Sequence, residues 1–231
     1  MNWQKKQIGQ NQYLLDTQQK LKTGFFYFKK QTFYYDYQTG QKKFGRQNVD
    51  GISYDLNSSS GALQRSSDPF SEKVIAWFNH RRHSLTYSLD GARNGADGTA
   101  DCSGAITQAI YAAGAPKYVE VYDTQTLHPY LKQAGYHLIA ENKTIYVRRG
   151  DLVLLGRYQH GKRPAGVFGH IGVITSGGWL LDPTAQALIL SVSGRNKAAD
   201  GSHAKNQAVI EMPFYDQWHQ VYFYVYRYYK K

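Results

Sequence analysis

Three hydrophobic patterns follow one another along the chain. Up to about residue 65, short aromatic runs alternate with polar turns. Tyr13-Leu14-Leu15-Asp16, Phe33-Tyr34-Tyr35-Asp36 and Ile52-Ser53-Tyr54-Asp55 recur at intervals of 20 and 19 residues, and Gly24, Gly40 and Gly61 follow the copies. Such runs, closed by Asp, Asn and Gly, predict short strands joined by tight turns. Units this short bury a face only by stacking on their neighbours. The polar stretch 57–67 reads as a boundary, giving a module over 1–65 and a domain over 66–231.

After that boundary the period becomes helical. Asp68-Pro69 opens a helix carrying Val74, Ile75, Trp77 and Phe78. Ala105, Ile106, Ala109, Ile110 and Ala113 mark the buried stripe of a second helix, with Asp101 as N-cap and Gly114 as stop. A third carries Leu127, Tyr130, Leu131 and Ala134 and stops at Gly135. The remainder reads as strands over 144–147, 152–155, 170–175, 179–181, 187–192, 208–212 and 221–228. Helices first and strands afterwards predict an α+β domain with a mostly antiparallel sheet.

Composition narrows the partners. Hydrophobic residues make up 42% of the 231, enough for a real core, and no apolar run has the length of a membrane span. The net charge of +11 calls for an anionic partner. Zinc-finger spacing, RNA-binding aromatic signatures and basic helices are missing from the sequence, which disfavours nucleic acid. An anionic wall polymer such as teichoic acid fits, and a monomer is expected. The start, Met1-Asn2-Trp3-Gln4-Lys5-Lys6, lacks the apolar core of a secretion signal, so the expectation is release by lysis or prior processing.

The candidate chemistry centres on Cys102, the single cysteine, at the opening of the second helix. There the free N–H groups and the positive helix end favour a thiolate and lower a thiol pKa from about 8.5. A lone cysteine is otherwise a small buried core residue. A thiol nucleophile needs a base and an orienting partner. His170, in Gly169-His170-Ile171-Gly172, begins an apolar strand, and Asp182 ends the next one. Antiparallel neighbours joined through 175–178 would set Asp182 against His170; alternatively His170 is a core histidine and Asp182 a turn former. His80 and His83 offer a metal pair, but no second ligand pair follows, so no metal or other cofactor is called for. The basic loop at His160 and 161–164 is a further candidate for lining a groove.

From Val74 onward the chain resembles the bacteriophage-type peptidoglycan amidohydrolases, a branch of the NlpC/P60 group with a papain-like core. The carrying segments include Leu85-Thr86-Tyr87-Ser88-Leu89-Asp90, Arg93-Asn94-Gly95, Asp101-Cys102-Ser103-Gly104, Arg149-Gly150-Asp151-Leu152 and Gly169-His170-Ile171-Gly172. The resemblance spans about 72–190. It implies helices packed on an antiparallel sheet, Cys102 as nucleophile and His170 as general base. Asp182 falls at the third triad position, where the relatives usually carry histidine or another polar residue. Tyr87, together with Ser103, becomes a supporting or oxyanion group, and Asp101 and Gly169 become substrate-binding positions. The implied reaction is cleavage of a peptidoglycan stem-peptide amide through a thioester. The γ-D-glutamyl–L-lysine bond leads, with the N-acetylmuramoyl–L-alanine amide as alternative and an inactive wall-binding protein as another class.

The first 65 residues resemble, in eroded form, the aromatic-glycine repeats of choline- and glucan-binding wall modules. That implies wall binding through Tyr34, Tyr35 and Tyr54; a purely structural ribbon is the other reading.

Overall fold

The aromatic repeats fold as hairpins. In the computed structural model, which describes residues 3–157, 169–184 and 187–229, β1 (Gln4–Ile8) pairs with β2 (Asn11–Leu15) and β3 (Gly24–Phe28) with β4 (Gln31–Tyr35). β5 (Gly45–Val49), β6 (Ile52–Leu56) and β7 (Leu63–Ser66) form a three-stranded sheet. Asp50-Gly51 joins β5 to β6 with both residues at positive φ (54° and 80°), the turn that matches the twist of a hairpin. Lys29-Lys30 adopts the same left-handed pair (47° and 63°) without a glycine.

Hydrogen bonding sets the repeat two residues later in its third copy than the aromatic pattern suggests. Asp16 Oδ1 accepts from the N–H of Gln18 and Lys20, Asp36 Oδ1 from Gln38 and Thr39, and Asn57 Oδ1 from Ser59 and Ser60. The equivalent residues are therefore Asp16, Asp36 and Asn57; Asp55 instead pairs with Arg46 at 2.7 Å. Part of the expected boundary loop is strand β7, because Arg65 and Ser66 pair with Asp55 and Tyr54. The chain divides into two compact units, Met1–Pro69 and Phe70–Lys231.

The second unit is α+β. In chain order it runs α1 (Pro69–His80), β8 (Thr86–Tyr87), β9 (Thr99–Ala100), α2 (Cys102–Ala113), α3 (Leu127–Gln133), β10 (Tyr136–Glu141) and β11 (Tyr146–Val147). It continues with β12 (Leu152–Leu155), β13 (His170–Ser176), β14 (Gly178–Trp179), β15 (Leu188–Val192), β16 (Val209–Pro213), α4 (Tyr215–Trp218) and β17 (Phe223–Tyr228). Six strands form one antiparallel sheet in the order β10-β17-β12-β13-β15-β16, so the last strand of the chain lies inside the sheet.

Alternation along these strands feeds two cores. Leu152, Leu154, Ile171, Val173, Leu190 and Val192 pack with α1, α2 and α3, whereas Val153, Leu155, Ile174, Ile189, Phe223 and Val225 pack with Phe214 and Trp218. Burial on both faces explains the unbroken apolar run of β12. Gly172 lets β15 come close, since a Cβ there would lie 2.6 Å from Ile189 Cγ1 and 2.9 Å from the Leu190 carbonyl oxygen.

Two cations, the buried Arg149 and the half-buried Arg227, tie the layers together. Arg149 donates to both Glu72 oxygens, at 2.7 and 2.9 Å, and to the Thr175 carbonyl at 2.8 Å. Arg227 grips both oxygens of Asp151, at 2.8 and 2.7 Å. Glu72→Ala should therefore destabilise the domain by about 3 kcal/mol, because it leaves the Arg149 guanidinium buried without its carboxylate. Urea unfolding would read this as a lower midpoint at unchanged slope; a loss below about 1 kcal/mol would mean that solvent already screens the pair.

Candidate active site

The site is built around the first turn of α2. Asp101 caps it: Oδ1 accepts from the Gly104 N–H at 2.6 Å and from the Ser103 hydroxyl at 3.1 Å. Its Oδ2 takes Arg93 Nε at 2.5 Å, and the Asp101 N–H returns a bond to the Arg93 carbonyl at 3.0 Å. The Arg93 backbone lies so close to the helix that a Cβ on Gly104 would sit 2.2 Å from its carbonyl oxygen. The run Asp101-Cys102-Ser103-Gly104 thus has a geometric reason at each end, a cap and a residue without a side chain.

Cys102 is buried, with the N–H groups of Ser103 and Ile171 directed at its sulfur. These donors favour the thiolate, yet burial first and then the Asp101 carboxylate push the thiol up to about 12. The lowered value expected from a helix N-terminus is corrected accordingly: desolvation outweighs the helix end.

His170 stands one residue before Ile171, at the start of β13. Its Nε2 lies 2.9 Å from Ser191 Oγ on β15, and its ring stacks on Trp218 of α4 at 5.2 Å and 19°. Burial, and secondarily the Arg195 cation, bring its pKa down to about 4. The Arg195 guanidinium lies over the Trp218 ring at 5.3 Å. Among the described residues no hydrogen bond links Cys102 to His170. At neutral pH the site therefore rests as thiol and neutral imidazole rather than as an ion pair.

The expected bond between His170 and Asp182 is not formed. The antiparallel neighbours of β13 are β12 and β15, while β14, which leads to Asp182, pairs with β11. Asp182 Oδ1 closes its own turn, accepting the N–H and hydroxyl of Thr184 at 2.8 and 2.7 Å. Ser191 holds the ring nitrogen instead.

The other expected positions divide. Tyr87 is half-buried on β8, and its hydroxyl has no hydrogen-bond partner among the described residues. Burial, followed by Cys102 and Asp101, raises its pKa to about 12. Ser103 spends its hydroxyl on Asp101, leaving its N–H at the sulfur. Asp101 is 2% exposed with both oxygens engaged, so it positions the helix and is not free to bind substrate. At Gly169 a Cβ would lie 2.2 Å from Thr124 Oγ1, so packing accounts for that glycine.

Tyr34, Tyr35 and Tyr54 are buried at 6%, 4% and 1% exposure, which corrects their assignment to a wall-facing surface. Tyr34 and Tyr54 flank Phe25 at 4.9 and 4.8 Å; stacking of the hairpins turns these rings inward. The accessible aromatics of that unit are Phe28 and the half-buried Trp3, Tyr13, Phe26, Tyr27, Phe33, Tyr37 and Phe44. His80 and His83 are exposed, and no group of three potential metal ligands forms among the described residues. His160 and 161–164 lie outside the described residues.

Sequence reading passed over Ser191, Trp218 and Arg195. Ser191 carried a signal, a lone hydroxyl in the apolar run Leu188–Val192. Trp218 and Arg195 carried none, because their place beside His170 depends on how α4 folds back.

A buried thiol at the N-terminus of α2 thus lies against the start of an antiparallel strand that opens with histidine. The chain belongs to the bacteriophage peptidoglycan hydrolase family, whose model matches residues 70–230. A lysin of Pneumococcus phage Dp-1 is 36% identical over 102 residues, 44% of this chain and 33% of that protein, so the chain spans about a third of that relative's length. Choline binding protein F from Streptococcus pneumoniae is similar over 27% of this chain and 20% of its own, at 31% identity and a TM-score of 0.24. NlpC2 from Trichomonas vaginalis covers 98% of this chain and 83% of its own at 10% identity and a TM-score of 0.36.

Two outcomes are expected. Gly104→Ala should leave the domain folded but cut hydrolysis at least about a hundredfold, since moving the first turn off Arg93 displaces the sulfur, and small misplacements of a reacting group have costs of that size. Full activity in that variant would mean that Arg93 can yield. Secondly, folded His170 titrates near 4 against 6.5 in the unfolded chain, so the unfolded state binds the extra proton between those values. Stability should fall as pH drops from about 6.5 to about 4 and level off below. His170→Gln should make that fall shallower in a thermal-unfolding series, the remainder belonging to His128, which burial also lowers to about 4; an unchanged slope would remove His170 as a source.

Proposed function

We propose that this chain hydrolyses an amide of the peptidoglycan stem peptide through a thioester on Cys102. The observation that carries the reading is the family match over 70–230, which contains Cys102 at the head of α2 and His170 beside its sulfur's Ile171 donor. With Nε2–H donating to Ser191, Nδ1 of His170 holds the lone pair that takes the thiol proton as sulfur attacks the carbonyl carbon. A neutral imidazole is ready for that step, and the thiol loses its proton only as the bond forms. The Ser103 N–H and the Tyr87 hydroxyl are the donors for the developing oxyanion. His170 then returns the proton to the leaving amine, and water, activated by the same nitrogen, cleaves the thioester.

Of the two bonds that fit, the γ-D-glutamyl–L-lysine link is the leading one, and the N-acetylmuramoyl–L-alanine amide the second. Mass spectrometry of fragments from purified walls separates them: new N-terminal lysine marks the endopeptidase, new N-terminal alanine the amidase. Cys102→Ala should lower the rate by several orders of magnitude. Retention of more than about a hundredth of it would remove the thiol from the mechanism. Ser191→Ala should lower kcat more than Asp182→Asn, because Ser191 holds the imidazole; the reverse order would restore Asp182 as the orienting residue.

Residues 1–69 are proposed to hold the enzyme at the wall, raising its effective concentration on an insoluble polymer. The first 65 residues carry ten basic and four acidic side chains, a net +6 that attracts anionic polymers such as teichoic acids and is screened by salt.

A further inference from the structure

The Lys42 ammonium lies over two aromatic faces at once, 4.7 Å from the Phe33 centroid and 5.3 Å from that of Phe44. Its stem is fixed: the Lys42 N–H donates to the Gln12 carbonyl at 2.8 Å, and Nζ reaches Gln12 Oε1 at 3.5 Å. Gly61 clears the remaining side, since a Cβ there would lie 2.8 Å from Lys42 Cε and 3.3 Å from Phe44 Cδ1. Lys42 bridges Tyr35, at the place where the other two repeats set leucines: Leu21 opposite Leu15 and Leu63 opposite Leu56. The charge is thus particular to one repeat, and it is held where burial, and secondarily Lys5, work against it.

Two ring faces converging on a cation form the arrangement by which proteins recognise organic ammonium groups. We propose that Phe33 and Phe44 form an organic-cation site that the chain fills with its own Lys42, so that Lys42 excludes quaternary ammonium ligands from this repeat. A free ligand would have to displace a tethered cation, whose local concentration is far higher. The inference stands whether or not residues 1–69 dock to walls.

The test uses the full chain with labelled phenylalanine rings and lysine side chains, titrated with tetramethylammonium and choline and followed by NMR. In the unaltered protein the Lys42 methylene protons next to nitrogen should show a ring-current upfield shift that Phe33→Leu removes, and neither ligand should move the Phe33 or Phe44 signals. Lys42→Met should let both ligands move both signals, with affinity at least about tenfold tighter than in the parent, in line with loss of a competing cation–π contact. Lys42→Gln provides the same test should the methionine variant unfold. Absence of the upfield shift, ligand-induced movement of both rings in the unaltered protein, or no gain in a folded Lys42 variant would each overturn the proposal.

Discussion

The second unit of this protein depends on a close approach between backbone and backbone, that of Arg93 with the first turn of α2. Gly104 makes room for it and the buried Asp101 carboxylate fastens it from both sides. The approach fixes where the helix begins, and with it the position of the only sulfur in the site. Because α2 packs on Ile171, Val173, Leu190 and Val192, the same contact also fixes the sulfur against the start of β13. A charged cap holding a buried helix end is costly unless every lone pair is used, and here Oδ1 and Oδ2 are both engaged.

Burial then decides the electrostatics. Helix-end donors favour a thiolate, but desolvation penalises both ions and leaves thiol and imidazole neutral at rest. Trp218 and Ser191 then matter as constraints on the imidazole plane: one stacks on it, the other takes a ring nitrogen.

In the N-terminal unit the dominant constraint is that no hairpin can cover its own face. Neighbouring repeats supply the missing surface, so Tyr34 and Tyr54 become core. Two of the rings left half-buried, Phe33 and Phe44, already hold a cation of the chain's own.

The sequence by itself determined the features whose causes lie within a few residues of one another. The N-cap at Asp101, the stop at Gly114 and the strands expected over 170–175 and 187–192 follow from local hydrogen bonds and apolar runs, and all are present. The sequence also carried the order of motifs that places Cys102 and His170 in one domain. Tertiary structure decided what local patterns leave degenerate. Strand neighbours are chosen by long-range register, so β17 enters the middle of the sheet and Ser191, not Asp182, meets His170. Whether an aromatic ring faces solvent depends on which hairpin stacks against it. The state of the thiol depends on how much water the assembled site excludes, a quantity that no window of sequence contains.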